Sequence, residues 1–235
     1  MNETLAKYKH EITEQIIHAV TAGNAPWQRP LIGGQAARNA ITDRRYQGIN
    51  QIILRLKNES SDPRWLTYKQ VQEQGWQVKK GSHGIRITFW RPLIDTETEE
   101  QIGQVQRVFT VFNATQIEGI SEYTIPELKY EQADRLLARY EISNDGDYSE
   151  AMRKLIRWTK NSKNVTHKYS GAMEELITEI GSLFLMGELG LTYTPNQASD
   201  IKGSLEILNS NSDAIFKASA EASRTVNFLL GRKEG

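Results

Sequence analysis

The run Lys79-Lys80-Gly81-Ser82-His83-Gly84-Ile85-Arg86-Ile87-Thr88-Phe89-Trp90 decides how the rest of the chain is read. From Ile85 onward the hydrophobic period is two: Ile85, Ile87 and Phe89 face one way, and Arg86, Thr88 and Trp90 the other. Side chains alternate in this way on a strand buried on one face. The turn Lys79–Gly84 joins that strand to a short preceding one. After the acidic turn Asp95–Gly103, Val105–Phe112 is rich in β-branched and aromatic residues and reads as a further strand.

On both sides of these strands the period is helical. Upstream, Leu5, Ile12, Ile16 and Val20, with Tyr8 and Ala19, mark an amphipathic helix stopped by Gly23 and Pro26. Ile49, Ile52, Ile53 and Leu56 mark a second helix, and Thr67 caps a short third one ending at Gly75. Downstream, Met152, Leu155, Ile156 and Thr159 share one helix face, with Trp158 beside it. Met173, Leu176, Ile177, Ile180, Leu183 and Phe184 form an apolar stripe that ends at Gly190. Two more helices follow, around Ile201–Leu208 and Ile215–Leu229. The expected class is α+β. An N-terminal α/β domain with a small antiparallel sheet occupies residues 1–120, an acidic connector 121–150, and a mainly helical domain 151–235.

The chain of 235 residues has 38% hydrophobic and 25% charged residues, enough apolar material for a buried core. No apolar run approaches the roughly 18 residues that a membrane span needs, and the N-terminus has no signal-like apolar region. A cytoplasmic protein without membrane partners is expected. The chain has no cysteine, which excludes disulfides, thiolate metal sites and thiol catalysis.

Lys and Arg together equal Asp and Glu at 29 each, but the balance hides a bias. Residues 1–92 carry a net charge of +7, residues 93–152 a net charge of −9, and residues 153–235 a net charge of +2. A basic N-terminal part points to a polyanionic partner. Within it, cations and flat rings are interleaved: Trp27 near Arg29, Arg38 with Asn39, Arg44 and Arg45 with Tyr46, Arg64 with Trp65, and Arg86 with Trp90. Lys79 and Lys80 precede a glycine that lets backbone N–H groups approach a phosphate. Cations that follow phosphates and rings that stack bases are what single-stranded nucleic acid requires. Trp27 and Trp65 serve equally well as core anchors, since tryptophan is mostly buried.

Catalytic patterns are missing. The sequence has no phosphate-loop, dinucleotide or nucleophile-elbow motif, and no His pair four apart with an intervening Glu. Glu175 and Glu179 lie four apart and could share a divalent ion, although such pairs usually line a wet helix face. No cofactor is expected.

The order of residues along 26–119 resembles a known family. Pro26-Trp27-x-x-Pro30, Asn39-x-x-x-x-Arg44-x-Tyr46-x-Gly48-Ile49-Asn50, Trp65-x-Thr67-x-x-Gln70, Gly75-x-x-Val78-x-Lys80-Gly81 and Val111-Phe112-Asn113-x-x-Gln116-x-Glu118-Gly119 are similar to the N-terminal domain of ArdC-type antirestriction proteins. The resemblance implies binding of single-stranded DNA without strong sequence preference, and shielding of entering DNA from restriction endonucleases. It adds Asn50 to the expected contacts, which become Trp27, Arg38, Asn39, Arg44, Arg45, Tyr46, Asn50, Trp65, Lys79, Lys80, Arg86 and Trp90.

The second half resembles that family's zincin-like metallopeptidase domain, with a departure. Where the family's active helix reads His-Glu-Leu-Val-His-Trp-Thr, this chain has Arg153-Lys154-Leu155-Ile156-Arg157-Trp158-Thr159. The resemblance puts the third metal ligand in the helix Glu174–Gly181, at Glu175, and the segment before Arg153 looks shortened. A guanidinium has no lone pair for a metal, and a lysine cannot act as the carboxylate base. The implied site is therefore degenerate, formed by Arg153, Lys154, Arg157, Glu175 and Glu179, with ion pairs in place of the ion. The expected protein is a non-enzymatic single-stranded-DNA binder. Two rival readings are a metal-dependent peptidase acting on DNA-associated proteins, and a factor that binds a restriction or replication protein through residues 93–150.

Overall fold

The computed structural model of the chain describes residues 3–31, 36–94, 101–160, 169, 171–196 and 200–232, with the backbone alone for 3–4, 90–94 and 101–105. In chain order its elements are α1 (Glu3–Thr21), β1 (Arg38–Asn39), α2 (Ile49–Lys57), β2 (Arg64–Thr67), α3 (Tyr68–Glu73), β3 (Gln77–Val78), β4 (Ile85–Ile94), β5 (Gln101–Asn113) and β6 (Ile117–Glu118). They continue with α4 (Glu131–Arg139), α5 (Tyr148–Thr159), α6 (Ala172–Leu189), α7 (Ile201–Ser210) and α8 (Ala214–Leu229). The α+β class holds, although the sheet is mixed rather than purely antiparallel, because β1 runs parallel to β2.

The chain forms two compact units that do not follow the cuts expected at 120 and 150. A mixed-sheet unit takes Ala37–Arg45 and Lys57–Tyr123, while a helical unit takes Met1–Ala36, Tyr46–Leu56 and Thr124–Gly235. The reason lies in the partners of α1 and α2. Tyr8, Ile12, Ile16 and Val20 are buried along α1, which packs on α7. Thr13 donates to the Ser212 carbonyl at 2.8 Å, and Lys9 pairs with Asp213 at 2.9 Å. From α2, Arg55 donates to the carbonyls of Pro26 and Arg29, and Arg29 donates back to the Arg55 carbonyl. Burial, with Arg29 alongside, pushes the Arg55 pKa down to about 10.

At the centre of the helical unit is α6, buried on nearly every side from Leu176 to Gly187, with α5, α7 and α8 packed on it. A Cβ at Gly181 would lie 3.2 Å from the Ile156 side chain, so glycine sets how closely α5 approaches. Gly190, at φ +70°, ends the helix in the left-handed conformation as expected. The acidic 121–150 segment contains a helix that its charge conceals: α4 buries Ala133, Leu136 and Leu137. Glu131 and Asp134 sit in its first turn, where the helix dipole favours them.

In the mixed-sheet unit the strand order is β1-β2-β5-β4, and β3 pairs with β6 in a separate two-stranded ladder. The short strand before the Lys79–Gly84 turn therefore pairs with β6 and not with β4. Leu66, Val71 and Ile117 form the core, with Trp76, Val78, Phe112 and Ile120 around them. Two capping boxes hold the strand ends. Thr67 and Gln70 cap α3, and Asn113 and Gln116 cap the turn Ala114–Gln116, each cap contributing about 1 kcal/mol.

Candidate nucleic-acid interface and altered metal centre

The structure separates the twelve expected DNA contacts. Trp27, Tyr46 and Asn50 lie buried in the helical unit, at 1%, 5% and 5% exposure. The Trp27 carbonyl accepts a hydrogen bond from the Tyr193 hydroxyl at 3.1 Å. Trp65 is 2% exposed in the mixed-sheet unit. These rings fill cores and offer no face to a base, which corrects the stacking role expected for Trp27, Trp65 and Tyr46. Asn39 is half-buried and holds a turn. Its side-chain oxygen accepts from the Ile41 and Thr42 amides, and its amide nitrogen donates to Gln70 at 3.0 Å. Arg38 is partly buried against Asp43 at 3.2 Å, and Arg45 is half-buried. The Trp90 side chain lies outside the described residues.

Arg44, Lys79, Lys80 and Arg86 remain exposed on the mixed-sheet unit. Arg44 and Lys80 pair with no carboxylate among the described residues. Lys79 donates to the Thr115 carbonyl at 2.8 Å, a neutral acceptor that leaves its charge uncompensated.

The β4–β5 hairpin adds residues that the sequence reading missed. Among the described residues β2 pairs with β5 only over Val111–Asn113, and the β4–β5 hairpin runs on past it. Ile87 is fully buried as expected, but Phe89 is 39% exposed and Thr88 is buried, the reverse of the expected facing. Phe89 pairs across the ladder with Arg107, which is exposed and without an ionic partner among the described residues. Phe109 meets Phe89 edge to face at 5.8 Å between ring centres. Arg107 and Phe109 stand two apart on β5 and so share this face, although the run Gln104–Phe109 does not alternate strictly and carried no such signal.

In the helical unit, α5 and α6 bring the cationic heptapeptide against the acidic helix. Arg153, 4% exposed, donates to Glu150 at 2.8 Å and to the Thr194 carbonyl at 3.0 Å. Burial opposes its charge, but the Glu150 hydrogen bond and nearby Glu179 outweigh that and raise its pKa. Arg157 reaches Glu175 at 3.3 Å, and Lys154 turns to Asp145 at 3.6 Å in a half-exposed pair. Glu179 is 1% exposed. One of its oxygens accepts from Tyr193 at 2.9 Å, and the other has no partner among the described residues. Burial raises the Glu179 pKa, and Tyr193 and Arg153 offset only part of that rise.

The geometry defines a class: a mixed-sheet unit carrying exposed cations, with a helical unit whose buried acidic helix faces arginines. Residues 6–130 match the family model of the N-terminal domain of anti-restriction factor ArdC, and residues 131–221 match that of a zincin-like metallopeptidase. The first match covers more than half of the chain, and the chain belongs to the ArdC family. It is 31% identical to the DNA primase TraC of Escherichia coli over 98% of its own length, but spans only 28% of that primase. A second Escherichia coli TraC primase is 29% identical, with 20% of its length covered. The first alignment runs over 293 positions, more than the chain's 235 residues, so that primase holds residues here that this chain lacks.

The fold matches that of the ArdC protein from plasmid R388, in its metal-free structure (TM-score 0.75) and its Mn(II)-bound structure (TM-score 0.73). Sequence identity is 24% in both, with 96% and 95% of this chain covered and 99% and 97% of the others. The described residues of this chain do not fit such an ion. Beside Glu175 and Glu179 stand Arg153 and Arg157, which donate protons and no lone pair, and no group of three His, Asp or Glu gathers among the described residues.

Proposed function

We propose that this protein binds single-stranded DNA through its mixed-sheet unit, without strong sequence preference, and shields entering DNA from restriction. In this reading the helical unit is a scaffold without peptidase activity. The observation that carries the binding is one pattern: Arg44, Lys79, Lys80 and Arg107 are exposed cations without carboxylate partners among the described residues, and Arg107 lies opposite the half-exposed ring of Phe89. Cations of this kind release counterions from phosphates, and rings of this kind stack bases whatever their sequence. Membership of the ArdC family supports the same reading.

The scaffold role rests on the chemistry of Arg153 and Arg157. A fixed cation beside Glu175 and Glu179 repels a second cation and offers it no donor.

The test is the triple variant K79A/K80A/R86A, titrated against a labelled oligothymidylate at several salt concentrations. Its affinity should fall, and its log–log salt slope should flatten by about 0.7 for each phosphate that is no longer neutralised. Unchanged affinity and slope would remove this surface from the reading. Titration of Mn(II) into the wild-type chain by calorimetry should give no stoichiometric binding heat, whereas a one-to-one site would return the peptidase reading to first place.

A further inference from the structure

The mixed-sheet unit contains a cleft of about 330 Å³ that shares Lys79 with the proposed interface and is otherwise lined by residues that interface does not use. Its walls include Asp62, Arg64, Lys79, Thr115, Ile120 and Tyr123. That volume lies at the lower end of the range for small-molecule sites and exceeds what a phosphate alone would need.

Three features of the lining point to one kind of guest. First, Lys79 supplies a single uncompensated positive charge, held toward the cleft wall by the Thr115 carbonyl at 2.8 Å. Second, the Arg64 guanidinium is fixed in place. Its Nε donates to Asp62 at 3.0 Å, and its Nη2 donates to Asp62 at 2.8 Å and to the Ser121 carbonyl at 2.6 Å. Asp62 cancels its charge, so Arg64 contributes a rigid flat plate rather than net attraction. Third, Ile120 supplies apolar wall, and Tyr123 carries a buried hydroxyl with no hydrogen-bond partner among the described residues. The Arg64 and Arg38 guanidinia stand 5.4 and 5.8 Å from the Tyr123 ring centre, and Arg38 Nε is also buried without a partner.

A phosphate needs the cation, a nucleobase needs the flat plate and the apolar wall, and the base edge can satisfy an orphaned hydroxyl. We propose that this cleft receives one unpaired nucleotide of the bound strand, with its phosphate at Lys79 and its base against Arg64 and Ile120. Guanidinium planes are established stacking partners for unstacked bases. The inference rests on the single-strand reading and gives it a cause. A base held in a duplex must unstack and unpair before it enters a concave site, and that costs a few kcal/mol. Glu122, exposed on the rim, works against the phosphate and restrains affinity.

The test fills the cleft without removing a cation. Ser61 and Ser121 are exposed lining residues, so S61W and S121W each place a bulky ring in the cleft. Each variant should bind labelled oligothymidylate roughly tenfold more weakly, which is about the effect of removing one base stack, with the salt slope unchanged. Wild-type protein should bind an oligonucleotide of abasic residues more weakly than the filled variants bind oligothymidylate, because the abasic strand also loses the stack on Phe89. The filled variants should distinguish the two strands about tenfold less than wild type does. E122Q should tighten binding. If wild type binds single strands in a salt-dependent manner but the filled variants bind oligothymidylate as tightly and lose as much affinity for the abasic strand, the cleft is not a nucleotide site and the interface reading stands. If wild type binds no single strand at all, the interface reading itself fails.

Discussion

Arg153 and Arg157 lie one turn apart on α5 and are not equivalent. Arg153 is 4% exposed and tied to Glu150 and the Thr194 carbonyl, whereas the Arg157 and Glu175 side chains are 39% and 28% exposed. Breaking a fully buried pair costs about 3–5 kcal/mol, and exposed pairs contribute about 0–1 kcal/mol. R153A should therefore lower unfolding stability by about 2–3 kcal/mol, below the full value because Glu150 is itself partly exposed. R157A should cost no more than about 1 kcal/mol. Urea denaturation of both variants checks the order, and equal losses would contradict it.

Glu179 gives a pH signature. Burial raises its pKa in the folded chain, so the folded state holds the proton to higher pH than the unfolded state does. Its contribution to stability therefore falls as pH rises from the ordinary carboxylate range through the raised folded value. E179Q removes that titration, and the stability of the variant relative to wild type should increase across the window. A difference that stays flat with pH, measured by urea denaturation at several values, would contradict the raised pKa. The expectation that the arginines of the heptapeptide Arg153–Thr159 meet carboxylates was legible in the sequence, and Arg153 and Arg157 pair with Glu150 and Glu175. The partnership of Glu179 with Tyr193 was not, because 14 residues and a helix end separate the two.

At the scale of elements, period and caps carried most of the reading. Thr67 as a helix cap, the α2 stripe and the Gly190 stop all followed from local chemistry. The pairing of β3 with β6 did not, since two-residue strands leave no periodic signature and their partner lies about forty residues away. The facing of β4 failed for another reason. Alternation tells which residues share a side but not which side is covered, and past the reach of β2 it is Thr88 that is buried and Phe89 that is exposed. The outrunning hairpin should act as a binding element. F89A and R107A should each weaken single-strand binding severalfold, with a melting temperature within about a degree or two of wild type, because both side chains are exposed. A large drop in melting temperature with unchanged affinity would make Phe89 a packing residue instead.

For the molecule as a whole, the composition and the order of motifs identified both halves of the chain. They did not show that residues 1–36 and 46–56 build the helical unit, because that packing joins residues up to about 200 positions apart. The same non-local packing explains why several motif residues proved to be structural. Trp27, Asn39, Tyr46 and Trp65 keep their places in cores and turns, and the exposed cations lie beside them in sequence. The basic excess of residues 1–92 is likewise not a property of one unit. The mixed-sheet unit has 11 basic and 10 acidic residues, and four of the acids belong to the stretch Asp95–Glu100 between β4 and β5. In the proposed reading, binding depends on where the cations without carboxylate partners among the described residues sit rather than on net charge.

The central claim is most directly tested by fluorescence anisotropy of the full chain against a labelled 20-nucleotide single strand and its duplex, each at 50 and 200 mM salt. The account predicts tighter binding of the single strand at both concentrations, with affinity for both falling steeply as salt rises. Equal affinity for the two forms, or single-strand binding that does not respond to salt, would contradict it.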